Sequence, residues 1–197
     1  MGGRWRRGAI GEIWVKGDSV AKGYCQSPEA TAETFDARLP GDDGPYLRPG
    51  DLGFLHDGEL FIAGRLKDLI IIHGRNLHPQ DLEQTAQSGR PALVAGRGVA
   101  FGVDVADEER LVLVQEMRGR AAAEGATIIK EIRAAIAQEH EVHPYAILLV
   151  APGSVPVTSS GKLARRRTRD LFLKGELSAI AQWYSVESLN ARRGDGP

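Results

Sequence analysis

Three stretches of this chain gather side chains whose types and spacing suit polar chemistry. In Val155-Pro156-Val157-Thr158-Ser159-Ser160-Gly161-Lys162-Leu163-Ala164-Arg165, the lysine follows a glycine in a hydroxyl-rich loop. An ammonium displayed on such a loop can offset the charge of an anion. In Tyr46-Leu47-Arg48-Pro49-Gly50-Asp51-Leu52-Gly53-Phe54, a carboxylate sits at the join of a turn and a strand. Such a carboxylate can accept from two vicinal hydroxyls at once. Residues 64–83 open on the charges Arg65, Lys67 and Asp68. Taken singly, these are a turn aspartate, exposed charges opening a strand and a solvated loop lysine. Their order along one chain asks for a common account.

The elements that must position them are legible from pattern. After the charges at 65–68 comes Leu69-Ile70-Ile71-Ile72, too short for a helix and suited to a buried strand. Gly74 breaks that strand, and His78-Pro79 opens a helix, with Asp81 and Glu83 at the positive end of its dipole. Upstream, residues 11–17 alternate as a strand, residues 27–35 read as a short helix behind Ser27-Pro28, and Asp57-Gly58 predicts a hairpin with strands near 52–56 and 59–64. Downstream, strands are expected at 99–103 and 111–117 around an acidic turn at 104–109, with another at 145–150. Ile128, Ile129, Ile132 and Ile136 recur at helical spacing among charges, the mark of an amphipathic helix on a sheet. Residues 163–174 suit a terminal helix, and 176–197 read as a polar tail.

Composition removes several function classes. With 25 basic and 26 acidic residues among 197 the net charge is -1, so nothing indicates a nucleic-acid or polybasic membrane surface. A single cysteine, Cys25, forms no internal disulfide, and the five histidines are scattered, which argues against a zinc site. Apolar runs such as residues 146–151 fall far short of the ~20 residues of a membrane span. The first 25 residues lack a secretory pattern. A cytoplasmic location is the expectation.

The stretch Arg75-Asn76-Leu77-His78-Pro79-Gln80-Asp81-Leu82-Glu83, behind its charged opening and buried strand, resembles the hinge-and-loop motif of the adenylate-forming ligases. Among them it looks most like the fatty acyl-AMP ligases, where Arg-Asn followed shortly by Pro-Gln-Asp-Leu/Ile-Glu is characteristic. Residues 46–51 resemble the family's Tyr-x-Arg-Thr-Gly-Asp motif, with Pro49 where threonine is usual; proline has neither the hydroxyl nor a backbone N–H. Residues 156–162 resemble its Pro-x-Thr-x-x-Gly-Lys motif. The resemblance implies an α+β fold: a small C-terminal domain with a mixed three-stranded sheet, helices and a β-hairpin over 66–175, preceded by the β-rich end of a large AMP-binding domain over 1–65. Cut from the rest of that domain, the first part is expected to expose sheet edges and an apolar face.

Carried over residue by residue, the resemblance makes Lys162 the catalytic lysine at the junction of carboxylate and α-phosphate. Asp51 takes the ribose hydroxyls and Arg65 contacts the nucleotide. Lys67 becomes the hinge, and Gly74 with Arg75 the loop that helps build the acceptor channel. It implies ATP with Mg2+, a fatty acid, and an acyl carrier protein or polyketide synthase carrier domain as acceptor. The reaction would run in two halves, adenylation with Lys162 in place, then thiol capture after the small domain swings about Lys67. The family's phosphate loop, acyl tunnel and magnesium-holding glutamate have no counterpart in these residues, so the chain by itself is expected not to adenylate, and no metal ligand is assigned. Two other readings stand beside this one: part of an acyl-CoA synthetase or peptide-synthetase adenylation domain, and a non-catalytic remnant or carrier-docking module.

Overall fold

The Asp57-Gly58 turn adopts the conformation its sequence favours, with both residues at positive φ, 50° and 86°, which matches the twist of the strands it joins. In this computed structural model, which describes residues 9–119 and 122–186, the turn links β2 (Asp51–His56) to β3 (Glu59–Arg65), as the expected hairpin. The chain divides into two compact units, Met1–Asp68 and Leu69–Pro197. The boundary lies three residues beyond the expected 65/66, because Leu66–Asp68 forms a 3-10 turn continuing from β3.

In the first unit β1 (Gly11–Glu12) pairs antiparallel with β2, giving a sheet ordered β1-β2-β3. The strand expected over 11–17 is reduced to this pair and an isolated bridge from Val15 to Leu47. Its partner segment holds Pro49, which cannot donate to a ladder, and Gly50 at φ 76°. α1 (Pro28–Phe35) starts on its proline. Leu55, Leu60 and Ile62 are exposed on one face of the hairpin, Ile62 at 65%, and Phe61 is exposed on the other beside Phe54.

The second unit is built on a sheet ordered β6-β7-β8-β9. β6 (Leu93–Val105) and β7 (Glu108–Met117) are antiparallel, β8 (Ala146–Val150) lies parallel to β7, and β9 (Ala179–Tyr184) is antiparallel to β8. β6 and β7 run further than the sequence implies, because the turn between them tightens to Ala106 and Asp107, both at positive φ. The helix α3 (Ala122–His140) makes the crossover from β7 to β8 and buries Ile128, Ile129, Ile132 and Ile136 against one face, together with Leu82 and Ala86 of α2 (Pro79–Gln87). α4 (Arg165–Leu173) covers the other face, with Phe172 edge-on to Phe101. Covering both faces explains why β7 and β8 are nearly continuous apolar runs rather than alternating ones. No helix among the described residues is long and apolar enough to cross a membrane.

The fourth strand corrects two expectations, a three-stranded sheet and a polar tail from 176. Ala179-Ile180-Ala181-Gln182-Trp183-Tyr184 is a short apolar segment set between polar stretches, and it is only half-buried in the fold. Docking makes it a strand. Ala181 and Trp183 pack on one core, Ala179 and Tyr184 on the other. The Arg133 guanidinium lies 3.7 Å from the Trp183 ring centroid, a cation–π contact. An added Cβ at Gly125 of α3 would meet the Ala181 Cβ at 2.5 Å, so glycine there lets strand and helix approach. The rest of the expected tail, 187–197, lies outside the described residues.

Candidate active site

In the first unit, antiparallel register sets Asp51, the first residue of β2, opposite Arg65, the last residue of β3. Arg65 Nε donates to Asp51 Oδ1 at 3.0 Å, with the carboxylate 30% and the guanidinium 51% exposed. An ion pair so open to water contributes under ~1 kcal/mol to stability; its consequence is placement. Two groups 14 apart in sequence become one accessible acid–base couple, able to present an acceptor and a fork of donors together. Beside it Leu66 N–H donates to Gly50 C=O at 2.8 Å, tying the turn before Asp51 to the end of β3. Lys67 is exposed in the 3-10 turn, one residue before the last of this unit.

In the second unit, β4 (Ile70–Ile72) and β5 (Arg75–Leu77) form a hairpin whose turn is His73 and Gly74, at φ 50° and 75°. The reading of Gly74 as a strand breaker thus resolves into a tight reversal, with Gly74 at the exposed tip. The Ile71 N–H donates to Glu109 at 2.6 Å, and Arg75 Nη1 to Glu141 at 2.9 Å. Next to the turn is a cleft of about 300 Å³ walled by Ile72, His73, Arg110 and the connection from Glu141 to Tyr145.

Lys162 lies elsewhere on this unit, exposed on a tight reversal of its own. The Thr158 N–H donates to the Lys162 carbonyl at 2.8 Å, the Gly161 N–H to the Thr158 carbonyl at 2.9 Å, and the Lys162 N–H to Thr158 Oγ1 at 3.2 Å. Val157 and Leu163 bridge behind them, and Gly161 takes φ 80°. The hydroxyl and the glycine of the motif therefore shape the turn that carries the lysine. Its ammonium takes part in none of the ion pairs among the described residues.

Both ends of this loop are tied down by charged groups that inspection of the motifs alone does not single out. At its start, Glu116 of β7 is 1% exposed. It accepts from Arg97 Nε at 3.1 Å and Nη2 at 2.9 Å, and from the Val155 N–H at 3.0 Å. Arg97 Nη2 donates in turn to the Val155 carbonyl at 3.1 Å. Burial alone would raise the Glu116 carboxyl; the hydrogen bonds from Arg97 and from the backbone N–H groups of Gly153 and Val155 outweigh it and hold the carboxyl below its ordinary value. At the loop's end, Arg165 donates to Glu83 at 2.6 Å and to the Ala100 carbonyl at 2.9 Å, while the Ala100 N–H donates to the same Glu83 oxygen at 2.8 Å. The available sequence signal was Gln115-Glu116 inside an apolar strand, since a buried carboxylate requires partners.

Comparison with known proteins decides the family. A family model described as the Disco-interacting protein 2-like AMP domain matches residues 67–182, more than half of the chain. The chain belongs to this family. It falls within the adenylate-forming ligase superfamily, on the fatty acyl-AMP ligase side. The curated medium-chain-fatty-acid–[acyl-carrier-protein] ligase JamA of Moorena producens is 43% identical over 188 residues, 94% of this chain and 31% of JamA. A structure from work on fatty acyl-adenylate ligases of E. coli and L. pneumophila matches with TM-score 0.70 and 34% identity, over 87% of this chain and 29% of that one. The McyG A-PCP structure complexed with phenylalanyl-adenylate matches with TM-score 0.72 and 28% identity, over 88% and 26% respectively. The chain thus spans about a third of the length of the curated relatives it matches.

Proposed function

We propose that this chain is the C-terminal portion of a fatty acyl-AMP ligase, which joins a fatty acid to AMP and passes the acyl group to the thiol of an acyl carrier protein. In that reading Lys162 neutralises the carboxylate and α-phosphate oxygens as pyrophosphate leaves. Asp51 accepts from the ribose hydroxyls, and Arg65, already paired to it, contacts the nucleotide. Lys67, one residue before the end of the first unit along the chain, is the pivot. Gly74 and Arg75 belong to the face used in the second half-reaction, where the cleft beside the His73-Gly74 turn offers room for an acceptor. The reading of the acceptor as a carrier protein draws support from the name of JamA. Among the described residues no three histidine, cysteine, aspartate or glutamate side chains come together as a metal site. The reading assigns no residue of this chain to magnesium, and every step given to these residues is one of charge and placement.

The observation that carries the proposal is the state of Lys162: a motif lysine with no counter-ion among the described residues, displayed on a loop fixed at both ends. A solvated surface lysine needs no such mounting. The test grafts this chain in place of the matching third of JamA and follows fatty-acid-dependent ATP–pyrophosphate exchange, then acyl transfer to carrier protein against coenzyme A. Lys162→Ala should lower exchange by at least about 100-fold, the size expected for losing a positioned charge. A graft in which Lys162→Ala exchanges at the parent rate refutes the assignment.

A further inference from the structure

We propose that Arg97 and Glu116 are positioning residues for Lys162, holding the lysine loop through the backbone of Val155. The inference rests on the functional reading of Lys162 above. The geometry is specific. Of the two main-chain polar groups of Val155, the N–H donates to Glu116 Oε1 at 3.0 Å and the carbonyl accepts from Arg97 Nη2 at 3.1 Å. The acid and the base that grip them are themselves joined by two hydrogen bonds. Val155 is 1% exposed, so its placement is set by the sheet rather than by solvent. From there the chain leaves the core, turns at 158–162 and returns, and the Ala164 N–H closes the finger on the Pro156 carbonyl at 2.9 Å.

Core packing alone does not account for the pair. Burying the Glu116 carboxylate beside a half-buried arginine is costly, and apolar residues of similar volume stabilise a core as well or better. What an apolar pair cannot do is accept from one peptide group and donate to the other end of the same residue. β6 and β7, which carry Arg97 and Glu116, are central elements of this unit. A finger anchored on them would bring its ammonium to a phosphate with little further ordering, and pre-set geometry of this kind is worth large factors in rate.

The test begins with amide hydrogen exchange over the whole chain for the parent, Glu116→Gln and Arg97→Met. Protection factors over residues 153–163 should fall about 10- to 100-fold in both variants, the scale of a lost charge-assisted hydrogen bond, while those of β8 and α3 stay within about three-fold. Unchanged protection at 153–163, or a loss shared equally by β8 and α3, overturns the proposal. The catalytic consequence is read in the JamA graft. Glu116→Gln should lower kcat for pyrophosphate exchange about 10-fold with KM for ATP within about two-fold, and leave transfer from preformed acyl-adenylate unchanged. Equal losses in both half-reactions mark a merely structural role and overturn it. If Lys162→Ala stops exchange while Glu116→Gln leaves kcat intact, this inference fails alone; if Lys162→Ala has no effect, the functional reading fails with it.

Discussion

Replacing Glu83 by alanine should destabilise the second unit far more than its place in the short helix α2 suggests. The carboxylate is 13% exposed and its partner Arg165 18%, so both charges are largely withdrawn from water. Removing one leaves the other poorly solvated, at a cost of ~3–5 kcal/mol for a fully buried pair. The residual access of water to Arg165 places this case near the lower end, about 2–3 kcal/mol. Roughly 1 kcal/mol of that comes from the Ala100 N–H, which loses its acceptor. Glu83→Gln keeps an acceptor for Ala100 and should cost about half as much. The assay is urea unfolding read by hydrogen exchange in β6 and β7, which reports this unit alone, with Arg165→Ala and the double variant completing a cycle. A Glu83→Ala cost below ~1 kcal/mol, or single costs that simply add, would show that the pair is not the joint between α2, β6 and α4.

Asp51→Asn should change stability by less than ~1 kcal/mol, since its ion pair is open to solvent, yet lower pyrophosphate exchange in the JamA graft by 10-fold or more; parallel urea and exchange measurements decide. Gly125→Leu should dislodge β9, because even a Cβ there approaches Ala181 at 2.5 Å, and exchange protection at 179–184 should fall while β6 keeps its own. For pH, the Glu116 carboxyl is lower in the folded state than its ordinary value of 4.5. The stability it contributes is therefore full above about pH 4.5 and is lost as pH drops below that. The parent should lose more stability than Glu116→Gln between pH 6 and pH 3.5 in matched urea titrations; equal losses would deny Glu116 this part in acid unfolding.

Much of this protein was legible because its signals are local. Asp57-Gly58 specifies a two-residue reversal through backbone sterics, Pro79 suits a first helical turn, and four isoleucines at helical spacing define the buried stripe of α3. The motif order carried the family, and the later comparison agrees with it. Other features depended on partners far along the chain. β9 is a short apolar segment between polar stretches, and nothing local marks it as a strand until β8 and α3 are beside it.

Sequence by itself determined the type of most elements, the α+β class and the three polar stretches, since propensity, turn chemistry and periodicity act over a few residues. Tertiary structure alone decided that Asp51 meets Arg65, that Arg165 meets Glu83 across 82 positions, and that a carboxylate on β7 grips Val155 across 39. Those pairings follow from strand register and from the demand that every buried charge find a partner. Neither condition exists until the sheet has formed.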